Sequence, residues 1–261
     1  MDADIIKKNY SKIGAALIEK LYSDDYLSIG GSGSTDTLAE CAGITKSSRV
    51  LDIGSGLGGP ALRLSETVGC RVTGLDLVET NVAEANERAS VRGLNHHVTF
   101  QTGDATDLPF EGGEFDVVWG QDAWCHIPEK PRLIGACARL LRGGGTIAFT
   151  DWVETGAMSD AQRVELHDAT ASTDMATMPL YRGLLEQNRF TVVEQTDISA
   201  DFVVQYQEII ERLESLEGEI TESFSSKVYT IMLQKNGAIL RGFEDGLIGG
   251  GRFVATIGQG A

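Results

Sequence analysis

Val50-Leu51-Asp52-Ile53-Gly54-Ser55-Gly56-Leu57-Gly58-Gly59 is a β-branched, apolar approach that closes on an acid and then bends through glycines. A strand that ends near Asp52 and turns through Gly54, Gly56 and Gly58 folds tightly, and it lets a nucleoside-bearing ligand lie against the main chain, because glycine has no Cβ in the way. The helix that follows, from about Pro60, turns its N-terminal amides toward that ligand. Spacing alone leaves the ligand open. A nicotinamide dinucleotide more usually sits on G-x-G-x-x-G, and Gly59 supplies a glycine at that third place.

Working outward, a second apolar run, Cys70 to Leu77, reaches Asp76 about 20 residues after the bend, where folds of this kind place an acid on ribose hydroxyls. Gly103-Asp104-Ala105-Thr106-Asp107-Leu108-Pro109-Phe110 and Phe115-Asp116-Val117-Val118-Trp119-Gly120-Gln121-Asp122 then arrive where further strands meet the same edge. The alternation continues: strand 49–54, helix 60–68, strand 71–76, helix 79–92, strand 97–101, a turn at 107–113, strand 115–119, helix 129–142, strand 145–151. Strands separated by helices imply right-handed crossovers and an α/β, doubly wound, mostly parallel sheet, with ligands outside the carboxyl ends of its strands. Gly143 to Gly145 reads as a helix-ending turn.

On either side of this core the pattern changes. Residues 4–22 place apolar side chains at helical intervals and predict one or two helices across the front of the sheet. Asp24 to Ser34 is polar and glycine-rich, a connector or a loop closing the ligand's mouth, and Ser34 or Thr35 is the candidate cap of a helix reaching Ala42. Residues 159–190 read as helices broken at Pro179, 191–198 as a late strand, and 202–242 as long amphipathic helices with Phe202, Tyr206, Ile209, Ile210 and Leu213 on one face. Residues 246–258 return as a final strand. The organisation expected is one domain: an N-terminal helical lid (1–48), a cofactor core (49–151), and cap segments at 152–190 and 202–242 inserted after the fifth strand.

The bulk properties narrow the partners. The chain has 261 residues, 42% of them hydrophobic, which suits one sizeable soluble domain. Its formal net charge of −16 argues against an extended nucleic-acid surface, which needs clustered Lys and Arg, and favours a small molecule. Cys41, Cys70, Cys125 and Cys137 are far apart, with no His at metal spacing, so reduced thiols and no metal are expected. No apolar run approaches the ~20 residues that span a bilayer, and Met1 to Tyr10 has no signal-peptide core, so the expected location is the cytoplasm, without a membrane partner. The sequence leaves monomer and homodimer open.

Taken together, the glycine bend, Asp76 and the Asp104-Ala105 pair resemble the class I S-adenosylmethionine-dependent methyltransferases, with a seven-stranded Rossmann-like sheet. The resemblance implies that Asp52, Gly54, Ser55 and Gly56 wrap the methionine part of the cofactor, that Asp76 and Leu77 take the ribose, and that Asp104 and Ala105 flank the adenine. Asp104-Ala105 tips the choice away from a nicotinamide cofactor. S-adenosylhomocysteine would then be the product left behind. Asn9 to Lys12, Tyr26 to Gly31 and Gln121-Asp122-Ala123-Trp124-Cys125-His126-Ile127 are similar to the phosphoethanolamine methyltransferases over roughly the first 150 residues. This closer resemblance implies a catalytic pair, Tyr10 and His126, with Leu27, Ser28 and Gln121 on the cofactor.

An amine acceptor gives that pair a task, because an ammonium has no lone pair and a nearby neutral imidazole or carboxylate must take its proton. A histidine before Pro128 equally serves as a surface or capping group. The second half departs from the phosphobase enzymes: Ala169 to Ala176 offers no Tyr and Arg cluster for a phosphate. Thr173 to Leu185 and Gly242 to Arg252 look instead similar to sarcosine/dimethylglycine N-methyltransferases. Arg182 and Arg252 are then candidates for a carboxylate, whose two oxygens suit the guanidinium fork, although arginines are more often solvated. Tyr26, Trp124 and Trp152 are candidates to face a cationic amine, or else they fill the hydrophobic seam. Asp122 either pairs with the substrate ammonium or makes a structural hydrogen bond. A natural-product O- or C-methyltransferase and a non-catalytic S-adenosylmethionine sensor remain alternatives, because the same cofactor half carries many functions.

Overall fold

The computed structural model describes residues 3–172 and 174–259. Two helices, α1 (Ala3–Asn9) and α2 (Lys12–Leu21), lead into α3 (Gly31–Ala42). The alternating core follows: β1 (Arg49–Ile53), α4 (Gly59–Val68), β2 (Arg71–Asp76), α5 (Glu79–Val91), β3 (Val98–Thr102), β4 (Phe115–Gln121), a 3-10 turn at Trp124–His126, α6 (Lys130–Leu140) and β5 (Leu141–Glu154). The chain continues through α7 (Asp160–Thr170), β6 (Ala176–Thr177), α8 (Met178–Gln187), β7 (Phe190–Asp197), α9 (Ser199–Ser215), α10 (Glu217–Ser223) and α11 (Ser226–Glu244) to β8 (Ile248–Ile257).

Seven strands follow one path, β3-β2-β1-β4-β5-β8-β7, and the two-residue β6 pairs with β5 beside it. β1 to β5 are parallel, whereas β8 runs antiparallel to both neighbours. The sheet is therefore the mostly parallel, doubly wound kind that the strand–helix alternation implies. Because its strands are covered on both faces, they read as near-continuous apolar runs. Along β1 and β4, Val50, Val117 and Trp119 pack against α3, α4 and α5, while Leu51, Ile53 and Val118 pack against α6 and α8.

A separate core holds the helical additions. Phe202, Tyr206, Ile209 and Leu213 of α9 are buried with Trp152, Phe243 and Ile248, and with Leu17 and Leu21 of α2. Fully burying side chains of this size stabilises by about 1.5–3 kcal/mol each before entropy is counted. The inserted segments thus divide. α8 joins the principal core beneath the sheet through Tyr181, Leu184 and Leu185, whereas α9 to α11 lie between β7 and β8 and form their own layer.

Several local expectations are corrected. Pro179 opens α8 rather than breaking a helix, with Thr177 Oγ1 accepting from the Leu180 amide, because proline suits a first turn whose N–H is unused. The sixth helix ends at Leu140, before the glycines, and Gly143 to Gly145 fall within the span of β5 as an irregularity between the Leu141–Phe115 and Thr146–Val117 pairings, with Gly144 at φ +80°. α3 starts at Gly31, capped by a left-handed Gly30 rather than by Ser34 or Thr35. No helix among the described residues is long and apolar enough to cross a membrane.

Candidate active site

Strand order reverses between β1 and β4, and the crevice opens there, beyond the strands' carboxyl ends. Its space is about 320 Å³. Gly54 to Leu57 after β1, Asp76 to Val78 after β2, Gly103 to Thr106 after β3 and Gln121 to Ala123 with His126 to Pro128 after β4 form its walls. Ala3, Ile6 and Tyr10 from the first helical segment, with Asp25, Leu27 and Ser28, close it from the front.

The glycine bend has the geometry its sequence requires. Gly54 adopts φ +82°, and a Cβ built there would stand 2.5 Å from the Cβ of Ala123, so the turn after β1 and the turn after β4 meet without room for a side chain. Asp76 fixes the bend: Oδ2 accepts from the Gly56 amide at 2.8 Å and Oδ1 from the Val78 amide at 2.9 Å. Burial raises the Asp76 carboxyl, and these two amides oppose the rise.

Gln121 and Asp122 act as a brace for the 27–31 segment. Gln121 Nε2 donates to Ser28 Oγ at 3.0 Å and its Oε1 accepts from Thr35 Oγ1 at 2.9 Å. Asp122, held at φ +53°, accepts from the Ile29 amide at 3.0 Å and from Thr150 Oγ1 at 2.7 Å. Burial, the largest influence, pushes the Asp122 carboxyl up to about 7, with the charge of Asp151 adding to it.

At the crevice's inner end, Tyr10 Oη lies 2.9 Å from His126 Nε2, with the rings edge to face at 5.2 Å. His126 Nδ1 lies 3.0 Å from the carbonyl oxygen of Ala171. A carbonyl only accepts, so Nδ1 carries the proton and the Nε2 lone pair receives the phenol hydrogen. Burial holds the imidazole at about 4, well below its ordinary range, and raises the Tyr10 phenol well above its own. The pair is therefore uncharged at neutral pH.

The remaining expected residues lie elsewhere. Trp124 is fully buried: its Nε1–H donates to Ile53 O at 3.1 Å, and its ring stacks on Phe149 at 4.3 Å. Trp152 packs against Phe202, Tyr206 and Phe243, and Tyr26 accepts from Thr35 Oγ1 at 3.3 Å; neither lines the crevice. Arg182 projects from α8 to Gln195 and Glu186, and Arg252 pairs with Glu194 at 2.6 Å. The structure brings neither arginine to the crevice, because each meets an acceptor near its own strand or helix. Thr173, in the segment expected to contact substrate, lies outside the described residues. Sequence reading missed Ala171, Lys130 and the Asp25 corner. A backbone carbonyl leaves no signal in side-chain identity, and a lysine between Glu129 and Pro131 looks like surface charge.

The sheet order, the crevice at the reversal point and the acid-braced glycine bend are those of the class I, S-adenosylmethionine-dependent methyltransferases. Residues 51–149 match the family model described as a methyltransferase domain, and the chain carries such a domain. It is 31% identical over 192 residues to the glycine/sarcosine/dimethylglycine N-methyltransferase of Actinopolyspora halophila, covering 72% of this chain and 34% of that protein. It is also 37% identical over 134 residues to the 27-O-demethylrifamycin SV methyltransferase of Amycolatopsis mediterranei, covering 50% and 49%. The chain thus spans about half or less of the length of these two relatives. The phosphoethanolamine N-methyltransferase 2 of Haemonchus contortus, solved with phosphomonomethylethanolamine and S-adenosylhomocysteine, shares the fold at a TM-score of 0.91 and 24% identity, over 99% of this chain and 61% of that one.

The residues present fit S-adenosylmethionine. Ser55 Oγ, on the crevice wall, and Asp52 Oδ2, near the end of β1 just before the bend, are buried without a hydrogen-bond partner among the described residues. Asp52 is 1% exposed, and burial together with the neighbouring Asp76 pushes it up to about 8. A ligand bearing positive charge and N–H donors relieves both defects.

Proposed function

We propose that this chain is an S-adenosylmethionine-dependent N-methyltransferase acting on a small amine, with sarcosine and dimethylglycine the first acceptors to test. The observation that carries the reading is the uncharged Tyr10–His126 pair at the end of the cofactor crevice. When bound, S-adenosylmethionine would supply an electrophilic methyl group for the acceptor's lone pair to attack in line, with S-adenosylhomocysteine as the leaving group.

The chain's own residues then have three tasks. Gly54 to Leu57 and Asp76 hold the donor against the bend. The Gln121–Asp122 brace keeps Leu27 and Ser28 over it. The Tyr10 oxygen takes the proton from the acceptor nitrogen as its own hydrogen moves onto His126 Nε2, so the pair accepts the proton together. Alignment in a closed, water-poor site supplies most of the remaining rate. The acidic crevice wall, with Asp25, Asp76, Asp104 and Asp122 and no Lys or Arg among its described residues, suits a cationic amine. An amino-acid carboxylate would need a partner other than Arg182 or Arg252.

That same lack of a cation on the wall favours a second reading, methylation of a hydroxyl on a less charged acceptor. Methyl transfer from labelled S-adenosylmethionine to sarcosine, dimethylglycine, glycine, phosphoethanolamine and a phenolic acceptor separates the two. Label on a secondary or tertiary amine supports N-methylation. Label confined to phosphoethanolamine overturns the choice of first acceptors, and label confined to the hydroxyl compound overturns the nitrogen assignment.

A further inference from the structure

Lys130 occupies a place that two physical rules oppose. It is the first residue of α6, where the helix dipole disfavours a cation, and it is 1% exposed, where a lone ammonium is costly. Its surroundings compensate both. Nζ donates to Ile127 O at 2.7 Å and to Asp174 O, and Asp174 Oδ2 lies 3.5 Å away.

These contacts bracket the catalytic pair proposed above. Ile127 is the residue after His126, and Asp174 is three residues beyond Ala171, whose carbonyl receives the His126 Nδ1 proton. On the other side of the imidazole, the Cys125 amide donates to Asp151 Oδ1 at 2.9 Å, and Asp151 Oδ2 accepts from Tyr181 at 2.6 Å. The Asp174 amide in turn donates to Cys125 O at 3.1 Å. The turn carrying His126 is thus tied to the segment that holds its acceptor by one buried cation and by the Asp174–Cys125 backbone bond, while the buried Asp151 carboxylate fixes the same turn to β5 and α8.

We propose that Lys130 is a positioning residue: its ammonium ties the His126 turn to the Ala171–Asp174 segment and thereby fixes the tautomer and aim of the imidazole. The inference rests on the reading of Tyr10 and His126 as the proton-accepting pair, but the tautomer is measurable without turnover. The charge also acts through space. Burial is the main cause of the low His126 value, and the neighbouring cation of Lys130 lowers it further. The other ionisable groups acting on Tyr10 and Cys125 beside the ring are Tyr22, Asp76, Asp122 and Asp151, and the Lys130 charge also lowers Cys125 and Asp151.

The test is nitrogen-15 NMR of histidine-labelled protein, with the His126 signal assigned by difference from His126→Gln, on the wild type, Lys130→Met and Lys130→Arg. In the wild type, Nδ1–H is expected to dominate, with the titration midpoint well below the ordinary ~6.5. Lys130→Met is expected to mix the tautomers and move the midpoint upward. Its kcat should fall on the order of 10- to 100-fold, as misaligned groups do, while cofactor affinity stays unchanged. Lys130→Arg, which keeps the charge, is expected to retain the low midpoint.

A Lys130→Met protein that is merely less stable, with tautomer and midpoint unaltered, would show a structural lysine and overturn the proposal. Should that variant fail to fold, the wild type alone still decides: an Nε2–H tautomer, or a midpoint near ~6.5, sinks it. A shifted tautomer without methyl transfer to any acceptor would instead support the positioning role and count against the proposed function.

Discussion

His126 is the residue whose environment does most to shape the chemistry. Desolvation keeps it neutral above about pH 4, so throughout the physiological range its Nε2 accepts the Tyr10 hydrogen and the pair can take up a proton. Replacing it by Asn, or Tyr10 by Phe, is expected to lower kcat about 10²- to 10⁴-fold, the usual contribution of a positioned proton acceptor, while calorimetry finds cofactor affinity within error of the wild type. Asp52 makes the opposite trade. Its folded value of about 8 lies above the ordinary ~3.9, so the folded chain binds more protons there than the unfolded chain does. Stability from this group is full below pH ~4 and is lost as pH rises toward about 8. Asp52→Asn is therefore expected to raise Tm at pH 8, with the gain vanishing near pH 4, and to weaken S-adenosylmethionine binding; thermal scans and titrations at the two pH values check both. Both residues stood out in the sequence. The values they take did not, because the groups that enclose them, Tyr10 and Ala171 at His126 and the neighbouring strands β2 and β4 at Asp52, come from other parts of the chain.

At the level of elements, the helix α5 holds the front of the crevice in place. Arg88 of α5 donates to Glu19 of α2 at 2.5 Å and to Asp25 at 3.0 Å, Arg92 also pairs with Asp25, and the Asp25 amide donates to Glu19 at 2.6 Å. Asp25 itself lines the crevice and sits at φ +72°, a conformation the network has to hold against its cost. Arg88→Met is expected to weaken cofactor binding on the order of 10-fold, because charge-assisted hydrogen bonds each contribute about 1.5–3 kcal/mol and only part of that differs between a closed and a loosened segment. Limited proteolysis between residues 22 and 30 should accelerate in parallel. Unchanged affinity and unchanged cleavage would show that the segment needs no such tie. The elements themselves were legible wherever periodicity is strong: each strand from β1 to β5 and each helix between them begins within a few residues of its expected start. Pro179 misled because proline ends one helix and opens another, and only the packing of α8 against parts distant in the chain decides which.

Across the whole molecule, sequence reading reached the architecture and the crevice but not the acceptor side. Parallel strands declare themselves through local runs, and the glycine bend and Asp76 lie in one βαβ unit whose geometry is nearly self-contained. Arg182, Arg252, Trp124 and Trp152 were plausible by chemistry alone. Their orientation depends on β7, β8 and the α9–α11 layer, which no short motif encodes. Acidic charge is spread over this surface, with Asp25, Asp76, Asp104 and Asp122 facing the crevice, so long-range attraction of a cationic donor and amine is expected to weaken as salt rises. Measuring kcat/KM across ionic strength tests this, and a salt-independent value would confine electrostatics to direct contacts.

Calorimetric titration of S-adenosylmethionine into the wild type, Asp76→Ala and Arg182→Ala tests the cofactor crevice most directly. One-to-one binding is expected in the wild type and Arg182→Ala, and its loss or severe weakening in Asp76→Ala. No binding to the wild type, or binding indifferent to Asp76, would contradict the assignment of this crevice to the methyl donor.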